Sequence, residues 1–361
     1  MKAVTADTKR QQKEFLSFRK ELYRRDSLYV DNNYYMLKEI FSGKLNFTKD
    51  MDIYPLSITD GGKMLCQGVA ACTKELPEYM QLCFFEARPD CGKAVELLVK
   101  KTAELGKKHG CKRIVIGLYG HVNYGLGFLD SHFEEKNSFS SPANPKYYNE
   151  YFREMGCEEI KLNSYITHTL DNRLSRYRSL LAKLDRTYSF RCFDKREFRK
   201  YSEIYTDLNN ACFAEHRYYY RRKYSDDEEM LRTLFLFMKE DSLIFAFKDD
   251  IPVGFILWYP DYNELAEKGS IFGTKHFFLN LLRGRSIKTA KVMEYGVLDG
   301  YRGSGLPLAL INKVYDTLRD YGCTRVETSW ILDENTDSNS FCTELCDSAY
   351  KSYVVYEKEI G

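Results

Sequence analysis

The sequence predicts an α+β protein built from two copies of one unit, each a central, mostly antiparallel sheet flanked by helices. Three observations carry this. A strand–turn–strand pattern appears in both halves. A Gly-Cys-x-Arg segment opens a later strand twice, as Gly110-Cys111-Lys112-Arg113 and as Gly322-Cys323-Thr324-Arg325. The shift of 212 residues that superposes these segments also brings Leu98 onto Leu310 and Val99 onto Ile311, keeping the buried helix faces in phase. A duplication places the boundary near Leu184–Arg186, with domains over 1–185 and 186–361.

In the first copy, residues 55–73 alternate apolar positions around Asp60-Gly61-Gly62-Lys63 and read as a β-hairpin. A strand over Tyr79–Ala87, a helix over Gly92–His109 and a strand from Gly110 follow. A short helix over Asn144–Met155 and a strand over Glu159–Leu170 close the copy. In the second, the hairpin spans Ser242–Tyr259 around Asp249-Asp250. Strand Lys291–Leu298, helix Gly305–Tyr321 and the strand from Gly322 come next, and Asn335–Cys346 with Tyr350–Ile360 close it. From Asp60 to Gly110 is 50 residues, but from Asp249 to Gly322 is 73. The extra stretch, 261–287, is too long for a structureless loop, so a helix over His276–Leu282 and a basic Arg283-Gly284-Arg285 turn are expected.

The chain carries 54 basic and 52 acidic residues, a formal net charge of +2. That balance gives no global attraction to nucleic acid, so no nucleic-acid partner is expected. There is no apolar leader segment and no apolar run long enough to span a bilayer, which predicts a cytoplasmic protein without membrane insertion. The eleven cysteines include no C-x-x-C pair and none at zinc-finger spacing from a histidine. Buried, reduced thiols and no metal are the expectation.

The chemistry should lie where strand Lys291–Leu298 runs through Asp299-Gly300-Tyr301-Arg302-Gly303-Ser304-Gly305 into a helix. Unpaired N–H groups at the helix start, aided by its dipole, suit an anion. Gly303 and Gly305 remove the Cβ atoms that would keep a phosphate away, and Arg302 adds charge. No Gly-Lys-Ser/Thr follows, so a mononucleotide P-loop is excluded, and the third glycine of a dinucleotide fold is missing. A shift of 212 puts Asp90, Cys91 and Lys93 where Arg302, Gly303 and Gly305 stand, so the first copy lacks this turn.

The segment VLDGYRGSGLPLAL, Val297–Leu310, resembles the central motif of the GNAT acyltransferase superfamily, in which Arg/Gln-x-x-Gly-x-Gly/Ala cradles a CoA pyrophosphate. Pro307 departs from it, standing where Gly or Ala is usual and offering no N–H. The resemblance implies acetyl-CoA or another acyl-CoA as donor and a small-molecule or peptide amine as acceptor. It assigns cofactor binding to Tyr295, Val297, Leu298, Arg302, Gly303, Ser304, Gly305, Leu306 and Asn335. It further implies Glu294 as general base, with Tyr295 and Asp299 as alternatives, and Cys342, Tyr350 or water to protonate the departing thiolate. Cys342 occupies the position where many relatives carry Tyr.

The cluster His216-Arg217-Tyr218-Tyr219-Tyr220-Arg221-Arg222-Lys223 suits a basic, aromatic lid over an acceptor bearing carboxylate or phosphate. Two alternatives stand beside N-acyl transfer from CoA. One is a transferase using aminoacyl-tRNA or a long-chain acyl donor; the other is a non-catalytic CoA or metabolite sensor.

Overall fold

The computed structural model describes residues 1–361 apart from 25, 27, 169–172 and 268. They form two compact units, each discontinuous in sequence: Met1–Leu162 with Ala266–Gly273 and Lys351–Gly361, and Asn163–Leu265 with Thr274–Tyr350.

The first unit begins with strand β1 (Lys2–Thr5), helix α1 (Lys9–Leu22) and helix α2 (Tyr34–Ser42). The expected hairpin follows as β2 (Met51–Asp60) and β3 (Lys63–Thr73), turned at Gly61 and Gly62, both at positive φ. Strand β4 (Tyr79–Ala87) and helix α3 (Gly92–His109) keep the expected limits. They lead to β5 (Arg113–Ile116), β6 (Phe128–Leu129) and helix α4 (Tyr147–Glu154). Strand β7 (Glu158–Thr167) leaves this unit partway along its length; residues 169–170 of the expected strand lie outside the described ones.

The second unit continues through α5 (Arg178–Thr187), β8 (Ser189–Cys192), α6 (Phe198–Cys212) and α7 (Tyr224–Leu234). Strands β9 (Leu243–Lys248) and β10 (Ile251–Pro260) are joined by Asp249 and Asp250, both left-handed, which matches the twist of a two-residue hairpin. The insertion forms helix α8 (Thr274–Arg283), slightly longer than expected. Then come β11 (Thr289–Val297), α9 (Leu306–Tyr321), β12 (Arg325–Thr328), β13 (Ile331–Leu332), α10 (Thr336–Leu345) and β14 (Ser348–Glu359).

Each sheet is mostly antiparallel with one parallel pair. In the first unit the order is β1-β2-β3-β4-β5-β14, and β4–β5 is the parallel pair. In the second it is β12-β11-β10-β9-β8, with β11–β12 parallel. The duplication is visible in register. Tyr79 faces Arg113 in one sheet, and Thr289 faces Arg325 in the other. Both helices that precede these strands end on a left-handed glycine, Gly110 and Gly322.

The units do not divide at one point near residue 185, which falls inside α5 of the second unit. Residues 351–361, the larger part of β14, pair with β5 and β6 of the first unit. The end of β7 pairs instead with β12, Thr167 facing Val326. Each sheet therefore takes a strand from the other half of the sequence.

Each unit has its own core. In the first, Val95, Leu98 and Val99 of α3 pack on Ile58, Met80, Leu82 and Tyr356. In the second, Leu308, Leu310, Ile311, Val314 and Leu318 of α9 pack on Ile256, Trp258 and Val292. All cysteines but Cys91, Cys192 and Cys212 are buried, and none is disulfide-bonded among the described residues. Among the described residues no helix is long and apolar enough to cross a membrane.

Candidate active site

Strand β11 pairs with β12 only as far as Val292, where Ser329 N–H donates to Val292 O at 2.7 Å. Beyond that rung β11 stays on β10 through Val297 but has no partner on its other edge among the described residues. Leu298 N–H donates to Val253 O at 3.0 Å, on the β10 side. By the two-residue alternation of a strand, the N–H groups of Tyr295 and Val297 point to the open edge. Of the last two N–H groups in the stretch assigned to cofactor binding, that of Val297 is available and that of Leu298 is engaged.

The strand runs into the glycine turn. Gly303 and Gly305 adopt φ of 72° and 82°, and their N–H groups have no hydrogen-bond partner among the described residues. A Cβ at Gly303 would meet nothing within 4 Å, so its face is open. Ser304 Oγ is turned inward, donating to Tyr301 O at 2.7 Å and accepting from Leu306 N–H. The Leu306 side chain is fully buried. Arg302 is half exposed and pairs with Asp299 at 2.9 Å, holding its guanidinium beside the turn.

The corresponding turn of the first unit is closed. Helix α4 sends three tyrosines onto it: Tyr148 Oη accepts from Ala87 N–H, Tyr151 Oη accepts from Cys91 N–H, and Tyr147 Oη donates to Ala87 O. The N–H of Cys91, the counterpart of Gly303, is therefore taken. Glu86 at the end of β4 is buried against Arg19, with Tyr23 and Tyr148 donating to its other oxygen.

Glu294 is held by two donors from α6. Tyr205 Oη donates to its Oε1, and Asn209 Nδ2 donates to Oε2 at 3.0 Å. Tyr205 and Asn209 are one turn apart on α6 and so share a face. Gly296 lets that helix approach, since a Cβ there would stand 2.8 Å from the Cβ of Cys212. Tyr219 Oη in turn donates to Asn209 Oδ1 at 3.0 Å. Burial pushes the Glu294 carboxyl up to about 7, against the pull of the Tyr205 and Asn209 hydrogen bonds. A carboxyl poised there is suited to general-base work.

Behind this layer Arg222 Nε meets Asp227 Oδ1 at 2.5 Å, both buried. The 216–223 cluster is only partly exposed, through Arg221 and Lys223. Tyr218 and Tyr219 are buried, Arg217 pairs with Glu334 at 3.0 Å, and burial lowers His216 to about 4. Asp227 from α7 and the two donors to Glu294, Tyr205 and Asn209, drew no attention in the sequence, and Tyr219 entered only as part of the 216–223 cluster. The only local signal was the i, i+4 spacing of Tyr205 and Asn209, which is indistinguishable from helix packing.

The remaining expected residues lie on the closing elements. Asn335 caps α10, its Oδ1 accepting from Ser338 N–H at 3.1 Å. Tyr295 Oη donates to Ser338 Oγ at 3.3 Å, which joins β11 to α10. Cys342 is packed with Tyr165 and Cys346, and its hydrogen bond to Cys346, with burial, pushes its thiol well above the usual range. Such a thiol holds its proton. Tyr350 stands half-buried at the start of β14.

Residues 200–346 match the model of the acetyltransferase (GNAT) family. The whole chain superposes on a tandem GNAT protein from the clavulanic acid biosynthesis pathway, with a TM-score of 0.58, 14% identity, and 100% and 98% of the two chains covered. This chain is a tandem GNAT-fold protein. The matched region takes in most of α6 and everything from there to the end of α10, and with it Glu294 and the glycine turn. The tandem GNAT chain is also 24% identical to Protein YghO of Escherichia coli K12 over 267 residues, covering 70% of this chain and 67% of that one. A bacterial ceramide synthase of Caulobacter vibrioides is 22% identical over 178 residues, covering 47% of this chain and 46% of that protein's length.

Proposed function

We propose that the protein transfers an acyl group from acyl-CoA to an amine, using one acyl-CoA site, in the second unit. The observation that carries the proposal is the Glu294 carboxyl, held by Tyr205 and Asn209 beside the unpaired edge of β11. In this reading the pyrophosphate lies on the open N–H groups of Gly303 and Gly305, with Arg302 beside it. The pantetheine adds along Tyr295–Val297 as a further strand would. The closed turn of the first unit supports a single site.

Glu294, as carboxylate, takes a proton from the acceptor ammonium directly or through water. The freed amine attacks the thioester carbonyl, and Val297 N–H stabilises the oxygen as it gains charge. The C–N bond forms and the C–S bond breaks; the nitrogen gives its second proton to solvent as the amide forms, and the departing CoA thiolate takes a proton from solvent. Acetyl is the simplest acyl group. The test is calorimetric titration with CoA and acetyl-CoA on the wild type and on Gly305→Glu, followed by thiol release against an amine library. Tight binding lost in the variant, with amine-dependent thiol release, is expected. A wild type that binds neither ligand sinks the reading, and binding without thiol release leaves a sensor.

One observation favours a longer donor or a lipid amine as the second reading. Phe278, Leu281 and Leu282 of α8 are 58%, 68% and 83% exposed, close in sequence to Arg283 and Arg285. An apolar, basic helix suits contact with an anionic interface, and one relative is named for the making of an N-acylated lipid. Comparing acetyl-CoA with palmitoyl-CoA, with and without anionic vesicles, separates the two readings.

A further inference from the structure

A second cluster lies wholly in the first unit, away from the chemistry assigned above. Asp52 on β2 and Cys72 on β3 are cross-strand partners, so their side chains share one face. Helix α3 ends at His109, and left-handed Gly110 turns the chain so that Cys111 follows two residues later. Ligand atoms of Asp52, Cys72 and His109 all lie within 4.8 Å of one another. The Cys111 thiol lies beside that of Cys72, which places a second sulfur next to the group though outside the 4.8 Å cluster.

We propose that Asp52, Cys72, His109 and Cys111 form a binding site for a zinc-type divalent cation. Two thiolates, an imidazole and a carboxylate are a donor set for tetrahedral zinc and a poor one for calcium or magnesium. Donor atoms on such an ion stand about 3.3–3.8 Å apart, so Asp52, Cys72 and His109 need to contract by about an ångström and the Cys111 thiol has to swing in beside Cys72. His109 is already oriented. Its Nε2 is 2.9 Å from Tyr54 Oη, and its Nδ1 is 3.6 Å from Asp52 Oδ2. A proton on Nε2 given to Tyr54 leaves the Nδ1 lone pair toward the other three donors.

The surroundings agree with a site that is anchored yet reachable. Both cysteines are buried, while the His109 and Asp52 side chains are 27% and 65% exposed, which leaves a path from solvent. The ion would tie β2, β3 and the α3–β5 connection together at one edge of the first core. The sequence expectation of no metal rested on local spacing. These ligands come together through strand register across 59 residues of chain instead.

The test uses the full chain, without an affinity tag, purified under reducing conditions without chelator. Elemental analysis is expected to give about one equivalent of zinc. After stripping, Co2+ used as a spectroscopic probe should produce a thiolate-to-metal charge-transfer band that Cys72→Ser/Cys111→Ser abolishes and Cys342→Ser leaves intact. Asp52→Asn and His109→Gln change partly exposed positions, keep the fold by circular dichroism, and should weaken Zn2+ binding by about tenfold or more. Any of three results overturns the proposal: no zinc beyond a tenth of an equivalent with no cobalt thiolate band; binding indifferent to both partly exposed variants; or a Cys72–Cys111 disulfide in metal-free protein.

Discussion

Asn209 Nδ2 donates to Glu294 Oε2 at 3.0 Å across 85 residues of chain, and Tyr219 donates to the same Asn209 side chain at its oxygen. Asn209 and Tyr205 thus hold the Glu294 carboxyl from one face of α6. A base held in this way should show itself in the dependence of rate on pH.

With burial holding Glu294 near 7, thiol release in the presence of amine should rise as pH passes through about 7 and level off above it. Glu294→Gln should lower kcat/KM by about a hundredfold or more and remove that limb, while calorimetry finds CoA bound as before. Stability runs the other way. The folded carboxyl keeps a proton that the unfolded chain releases near 4.3, so its contribution is present at low pH and lost as pH rises through about 7. Thermal unfolding at pH 5 and pH 8 should therefore diverge more in the wild type than in the variant.

Tyr205→Phe removes a hydrogen bond that favours the charged form of Glu294. The rising limb should move to higher pH by about one unit. A loss of rate at every pH with an unmoved limb would show that Tyr205 only packs.

Arg302 and Asp299 should act with opposite signs. Arg302→Ala removes a half-exposed cation from the turn and should weaken CoA binding about tenfold at low salt, less as salt is raised. Asp299→Asn frees Arg302 from its 2.9 Å partner and removes a like charge, so CoA should bind more tightly. Isothermal titration at two ionic strengths reads both.

The buried Arg222–Asp227 pair makes a stability prediction. Asp227→Ala leaves a guanidinium without its counter-charge and should cost about 3–5 kcal/mol in urea unfolding. The double change Arg222→Met/Asp227→Leu should be milder than Asp227→Ala alone.

The parts legible in the sequence were those fixed by local backbone chemistry. Gly61-Gly62 and Asp249-Asp250 turned both hairpins where left-handed residues were needed, and the apolar rows of α3 and α9 set their buried faces. The glycine turn at 303–305 was readable for the same reason. What escaped was decided by partners far away in the chain. Arg222 looks like a surface cation until Asp227 and α6 enclose it. Asp52, Cys72, His109 and Cys111 match no spacing rule because strand register, not sequence distance, assembles them. The course of β14 could not be inferred either, since its pattern is that of any closing strand.

That course has a consequence for how the protein is made. The first 162 residues leave the ribosome well before the strand that completes their sheet has been synthesised. Val115 and Ile116 on β5 wait for Glu357 and Tyr356, so that edge of the first sheet stays uncovered until β14 has been made. Domain-by-domain folding during synthesis is thus closed to this chain. A nascent chain stalled before residue 351 should remain sensitive to protease along β5, and one stalled after β14 has emerged should not.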